Sequence, residues 1–326
     1  MCFYLGIDLG GTTLTASVFS QDFTLMADQS QATRTADGPQ AVLRQVAALA
    51  HAVAHPFQGK RGGIAAAGLA VPGLIRGENG PVLFAPNVGW KDVDPVLPLQ
   101  SVLGCPVFLL HDAACAAVAE SHFGLGRELA SFLFLTLGTA IGGAFIWQGR
   151  LFSQHGPFGS ELGHISLRGE GIPCSCGLPG CFQQYGSATA LARQAQQAAR
   201  QAGADSALWA LCQGQPSQLT APMVFTAAAK KDPVALAVLD RYTSYLAEGI
   251  AGLVNIFRPE AVVLGGGLSQ AGTLLSDPVQ KKLPAVTHAA PLIGAPPVRC
   301  AQLGAGAGAL GAALGAAQAA GTGGAA

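Results

Sequence analysis

The chain has 326 residues, half of them hydrophobic and only 11% charged, with a formal net charge of zero. That length allows two domains with sizeable cores, and the neutral balance excludes a basic nucleic-acid footprint. No apolar run reaches the ~18 to 20 uncharged residues of a membrane span; the richest, 234–257, carries Asp240, Arg241 and Glu248.

The first residues, Met1-Cys2-Phe3-Tyr4-Leu5-Gly6-Ile7-Asp8, show no basic n-region and no small-residue cleavage site, so a cytoplasmic location is expected. Segments 3–7 and 14–19 read as strands, with a third near 24–26, in an antiparallel meander. Its first turn is Asp8-Leu9-Gly10-Gly11-Thr12-Thr13, where two glycines allow geometry and close approach that other residues obstruct. Segment 41–54 has apolar residues at helical spacing. Segment 64–71 is a buried strand stopped by Pro72-Gly73, and 107–110 is a strand leading into a helix over 113–123.

A second strand–glycine–strand unit begins at 132–137. Its turn, Gly138-Thr139-Ala140-Ile141-Gly142-Gly143, echoes the first and reads as a weak internal duplication. The two units predict two related lobes, with a boundary placed near Asp112. A glycine-rich loop spans 156–180, and the chain then turns mostly helical. Asp232 as N-cap and Pro233 at the first helical position start a helix that runs to about Phe257. Segment 261–264 is a short strand closed by Gly265-Gly266-Gly267. Segment 304–318 is a small-residue helix, and 321–326 is expected to fray.

Of the eight cysteines, Cys2, Cys105, Cys115, Cys212 and Cys300 stand among apolar neighbours and read as small hydrophobes. Cys174, Cys176 and Cys181 are clustered, ten residues and more after His164. Three thiolates and one imidazole make a tetrahedral zinc set with no open position, hence a structural site. The competing reading is three surface thiols and an unrelated histidine. The Gly10–Thr13 turn and its echo at Gly138-Thr139 could cradle phosphate with backbone N–H groups, although Gly-Gly also makes ordinary hairpins. Gly265-Gly266-Gly267 offers a nucleotide close approach to backbone. Neither a Walker A pattern nor a dinucleotide fingerprint is present. Asp112, at the end of an apolar strand, is a candidate base; the competing reading is a helix cap. Glu161, three residues before His164, is held by the cysteine loop in a position suited to recognising hydroxyls.

Asp8-Leu-Gly-Gly-Thr-Thr, Pro72-Gly73, Pro86-Asn87-Val-Gly-Trp90, His111-Asp112-Ala-Ala, Gly138-Thr139-Ala-Ile-Gly142-Gly143, Glu161-Leu-Gly163-His164, the cysteine loop and Leu264-Gly265-Gly266-Gly267 occur in one order. That series, from about Tyr4 to Ala317, resembles the ROK family of bacterial glucokinases, N-acetylhexosamine kinases, fructokinases, allose kinases and related repressors. The Glu-x-Gly-His and Cys-x-Cys-Gly-x-x-Gly-Cys segment is its most specific part.

The resemblance implies an α/β, two-lobed, actin-like (ribonuclease H-like) ATPase fold with a zinc loop. The small lobe would comprise 1–111 and 302–320, the large lobe 112–301. It implies an ATP-dependent sugar kinase acting on a hexose, glucose first, or an N-acetylhexosamine at the 6-hydroxyl. ATP and Mg²⁺ would lie in the cleft, with Asp112 as catalytic base. Gly73, Asn87, His111, Asp112, Glu161, His164 and Gln183 would bind sugar. Asp8, Gly10, Gly11, Thr12, Thr13, Gly138, Thr139, Gly265, Gly266 and Gly267 would bind the nucleotide and its metal. His164, Cys174, Cys176 and Cys181 would hold structural Zn²⁺. Expected partners are the sugar and ATP, with no nucleic acid or membrane, in a homodimer or homotetramer.

Four positions depart from the family's usual residues: His111 where Asn is usual, Gln183 where Glu is usual, Thr13 where Lys or Asn is common, and Ala140 where Gly is common. His111 and Gln183 both fall on the sugar side. The alternative reading is a catalytically silent or regulatory sugar-binding relative. The family's regulators carry an N-terminal winged helix, which is not expected in a chain that starts at the phosphate-loop strand.

Overall fold

The computed structural model describes residues 2–59, 62–77, 80–152 and 160–321. The chain runs through Phe3–Leu9 (β1), Thr13–Ser20 (β2), Leu25–Ala32 (β3), Pro39–Gln58 (α1), Ile64–Val71 (β4), Leu74–Ile75 (β5), Val82–Ala85 (β6), Trp90–Val93 (β7), Val96–Leu103 (α2), Val107–His111 (β8) and Asp112–Phe123 (α3). It continues through Ser131–Leu137 (β9), Ile141–Trp147 (β10), Arg150–Leu151 (β11), Gln183–Gly186 (α4), Ala188–Ala202 (α5), Ala207–Leu211 (α6) and Ala221–Ala229 (α7). Pro233–Phe257 (α8), Ala261–Gly265 (β12), Thr273–Val286 (α9), Ala290–Ile293 (α10), Val298–Cys300 (β13) and Ala307–Ala319 (α11) complete it. Among the described residues no helix is long and apolar enough to cross a membrane.

The chain divides into two compact units. One comprises Met1–Arg127, Arg150–Ser160 and Ala305–Ala326; the other comprises Glu128–Gly149 and Glu161–Gly304. The break expected at Asp112 therefore falls later, after Arg127. The physical reason is α3, which packs on α11 within the first unit.

The first unit is built on a sheet of order β3-β2-β1-β4-β8, with β1 antiparallel to β2 and parallel to β4. Successive strand residues point to opposite faces, and here the two faces differ in size. Phe3, Leu5, Ile7 and Leu9 of β1, with Ala67, Leu69 and Val71 of β4, face a core completed by Val42, Val46, Leu49 and Val53 of α1. On the other face stand Tyr4, Gly6 and Asp8, with Ala66, Gly68 and Ala70. A methyl group on Gly6 would lie 1.8 Å from the Ala309 carbonyl oxygen, and one on Gly68 would lie 2.0 Å from that of Ala312. Helix α11 thus rests directly on the strand backbones, which is why its sequence is almost wholly alanine and glycine.

In the second unit the order β10-β9-β12-β13 repeats β2-β1-β4-β8, with the same antiparallel hairpin and parallel neighbours. The duplication expected from the two turns is present in the topology. The core joins Leu133, Leu135 and Leu137 of β9 to α5, α7, α8 and α9. Helix α8 starts as expected: the Asp232 side chain accepts the Ala235 N–H at 2.7 Å, and Pro233 follows. The expected fraying at 322–326 and the loop start at 156–159 lie outside the described residues.

Candidate active site

In the first unit the Asp8–Thr13 turn is a tight connection. Gly10 donates to the Thr13 carbonyl at 2.9 Å, and the Thr33 hydroxyl donates to the Gly10 carbonyl at 2.7 Å. Thr12 and Thr13 are exposed at its tip. Gly11 abuts Asn87, since a methyl group on it would lie 2.6 Å from the Asn87 carbonyl oxygen. Gly73 stands at φ +91°, where a methyl group would lie 2.2 Å from the Phe84 carbonyl oxygen. Turn and Asn87 are therefore brought together, and Gly73 packs on the strand that leads to Pro86-Asn87.

His111 ends β8 in an extended conformation and Asp112 is the first residue of α3. Asp112 Oδ1 accepts the Ala113 N–H at 2.6 Å, and its side chain remains about one-third exposed. The buried His111 Nδ1 lies 3.5 Å from Asp112 Oδ1 and makes no hydrogen bond. The Asp112 carboxylate thus keeps an oxygen for other work, in the first turn of a helix whose dipole favours negative charge.

Asp8, at the end of β1, is pushed from the ordinary 3.8 to about 7 by burial and by the nearby charge of Asp112. Its carboxylate lies against Gly308 of α11, where a methyl group would sit 2.1 Å from Oδ2. Two carboxylates crowded at one end of a sheet oppose each other's ionisation. The metal-free protein should register the cost. Between pH 3.8 and 7 the folded chain keeps a proton on Asp8 that the unfolded chain releases. Asp8 therefore makes stability fall as pH rises through that window. Asp8→Asn should stabilise the metal-free protein at pH 8, by at most about 4 kcal/mol, and leave it unchanged near pH 4. Urea unfolding at both pH values measures this; an equal gain at both would contradict it.

In the second unit Gly138 donates to the Ala140 carbonyl at 3.1 Å and accepts from Ala188 at 2.8 Å. The Thr139 carbonyl accepts from the Thr189 hydroxyl at 2.8 Å. Gly266, at φ +76°, lies so close to Leu137 that a methyl group would come within 2.7 Å of its backbone nitrogen. Gly265-Gly266-Gly267 therefore lies beside Leu137, the residue that leads into the Gly138-Thr139 turn. The Glu161-Leu-Gly163-His164 segment joins them: a methyl group on Gly163 would lie 2.1 Å from the Ile141 carbonyl oxygen.

His164, Cys174, Cys176 and Cys181 form one cluster, with their ligand atoms all within 4.8 Å of one another. His164 Nδ1 lies 3.7 Å from Cys174 Sγ, and the Cys176 and Cys181 sulfurs are 3.5 Å apart. A tetrahedron with metal–sulfur bonds of about 2.3 Å has edges of about 3.8 Å, so the donors fit zinc. With Nδ1 aimed at the cluster, His164 Nε2 faces Glu161 Oε2 at 3.8 Å. Burial opposes ionisation of Cys174, yet the Cys176 backbone N–H and the Gln184 and Gln183 amides hold its thiol down to about 6. Burial and the neighbouring sulfurs push Cys181 up to about 12. One thiolate is thus ready, and a divalent cation would displace the remaining protons.

Gln183, expected on the sugar, is buried at the start of α4 and directs Nε2 to Cys174 Sγ at 3.2 Å. A sugar contact would fall to its Oε1. The sequence reading missed Gly308 behind Asp8, Thr33 bracing the first turn, and Ala188 and Thr189 bracing the second. Each partner lies 20 or more residues from the turn it supports, and no local pattern marks it.

The ROK family profile matches residues 4–319. A glucokinase of Thermotoga maritima is 35% identical over 280 residues, covering 86% of each chain. A glucokinase of Streptomyces coelicolor is 33% identical, covering 85% of this chain and 86% of its own. The crystal structure of a ROK family glucokinase from Streptomyces griseus, in complex with glucose and AMPPNP, superposes with a TM-score of 0.88 at 30% identity, covering 97% of this chain and 99% of its own.

Proposed function

The chain belongs to the ROK family, and we propose that it transfers the γ-phosphoryl group of ATP to the 6-hydroxyl of a hexose, with glucose as the first substrate. It is an ATP-dependent hexose kinase with the two-domain, actin-like α/β fold. The observation that carries the substrate assignment is the likeness, over nearly the whole chain, to a glucokinase solved with glucose and an ATP analogue.

In this reading Asp112 takes the proton of the sugar hydroxyl while its oxygen bonds to the γ-phosphorus and the bond to the ADP oxygen breaks. Asn87, Glu161 and His164 hold the other hydroxyls, with His111 buried behind Asp112. The Gly10–Thr13 turn, Gly138-Thr139 and Gly265–Gly267 hold the nucleotide through backbone. Magnesium, at the Asp8 end, would neutralise phosphate charge. Zinc on His164, Cys174, Cys176 and Cys181 would fix the loop that carries Glu161, a structural role. Cytoplasmic placement, where ATP is abundant, belongs to the same reading. So does a homo-oligomer, for which the exposed Ile256, Leu292 and Ile293 offer apolar surface.

The test is coupled ADP release with ATP and Mg²⁺ over glucose, mannose, fructose, allose and their N-acetyl relatives. The expected result is the highest kcat/KM with glucose and a product phosphorylated at O6. An N-acetylhexosamine ranking first would replace glucose as substrate. Sugar binding without ADP release would overturn the catalytic reading.

A further inference from the structure

Gln183 is only 7% exposed and stands two residues after Cys181. A buried primary amide has to place two N–H donors and a carbonyl acceptor. A thiolate can only accept, so the amide can face Cys174 in one sense, nitrogen inward, as the 3.2 Å contact has it. Three thiolates and a neutral imidazole around a divalent cation leave one excess negative charge, spread over the sulfurs. An N–H pointed at one of them offsets that charge and fixes the direction of its lone pairs. The donor is firmly mounted. Gln184 N donates to the Cys181 carbonyl at 2.9 Å, and the Tyr185 hydroxyl accepts from Ile172 N at 3.0 Å, tying α4 to both sides of the loop. A carboxylate at position 183 would have nothing to donate and would set a second negative charge against the sulfur.

We propose that Gln183 is a positioning residue of the metal site, donating Nε2–H to Cys174 Sγ and so retaining zinc in its loop. The inference rests on the zinc reading above. Its consequence is kinetic: outer donors to ligands are worth ~10- to 100-fold in metal retention.

The experiment compares the full-length wild type with Gln183→Met, which keeps bulk and loses the donor, and Gln183→Glu, which adds charge. Zinc content is measured first, then the rate of zinc release to an excess of chelator, then the sulfur-to-metal charge-transfer band of each protein loaded with Co²⁺. The wild type should hold one zinc. Release should be ~10- to 100-fold faster in Gln183→Met, and faster again in Gln183→Glu. The cobalt band should move to longer wavelength in Gln183→Met, because an undonated sulfur lone pair lies higher in energy. A wild type that binds neither zinc nor cobalt overturns the zinc reading itself. A zinc-loaded wild type matched by Gln183→Met within about twofold in release, with an unmoved cobalt band, overturns the role of Gln183 alone. If Gln183→Glu does not fold, Gln183→Met decides the matter, its apolar side chain suiting a buried position.

Discussion

Replacing Asp112 by asparagine is expected to lower turnover by ~10²-fold or more, while fold and sugar affinity stay close to wild type. The local structure explains why the change is clean. Asp112 Oδ1 accepts the Ala113 N–H, and the asparagine carbonyl can keep that bond. The His111 ring is near but not hydrogen-bonded, so no buried partner is stripped. What disappears is the ability to take a proton from the attacking hydroxyl. Steady-state kinetics with the best sugar, calorimetric sugar binding and circular dichroism separate the three quantities. Turnover within tenfold of wild type would remove Asp112 from the role of base.

The second large effect is expected from Cys181→Ser. Cys181 is almost fully buried, and the segment between His164 and α4 has only isolated bridges, Ser166 with Cys181 and Pro173 with Pro179, for regular structure. The loop also carries backbone hydrogen bonds, Phe182 N to the Ile165 carbonyl and Leu167 N to the Gly180 carbonyl among them, both at 2.8 Å. A bound zinc would tie its two ends further, and binding free energy in such a site is folding free energy. Loss of the ion should free the loop and carry Glu161 and His164 with it. A misplacement of about 1 Å can cost ~10²-fold in rate, so turnover should fall by at least that much. Limited proteolysis should cut the variant between 164 and 183 at a protease level that leaves wild type intact. Full activity in protein shown to be zinc-free would contradict this.

These sites were unevenly legible in the sequence. The turns at Gly10–Thr13 and Gly138–Thr139, the strand at Ile64–Val71 and the start of α8 each carry their own punctuation, and the structure places them as read. The clustering of His164, Cys174, Cys176 and Cys181 was legible because close spacing in sequence brings their ligand atoms within reach of one another. The sheet β5-β6-β7 was not, because strands of two to four residues interrupted by glycine and Pro86 show too few alternations. Strand β3 extends past the expected 24–26 to Ala32; its run Leu-Met-Ala-Asp-Gln-Ser-Gln-Ala is an exposed edge without an apolar pattern. The domain break was misplaced because it depends on which helix α3 touches, and that helix lies nearly two hundred residues away. The orientation of Gln183 was hidden for a related reason: residue identity tells which groups it offers, not which neighbour receives them.

The position of α11 also sets an order of events during synthesis. Strands β1 and β4 leave the ribosome early, but the helix that covers their small-residue face is encoded by 307–319. The second unit has by then been translated in full, since it ends at Gly304. Domains ordinarily mature from the N-terminus as the chain emerges; here the unit that begins first must finish last. Until then the Gly6 and Gly68 face waits uncovered, and a stalled or nonsense-truncated nascent chain would present it to chaperones and proteases whatever the state of the rest.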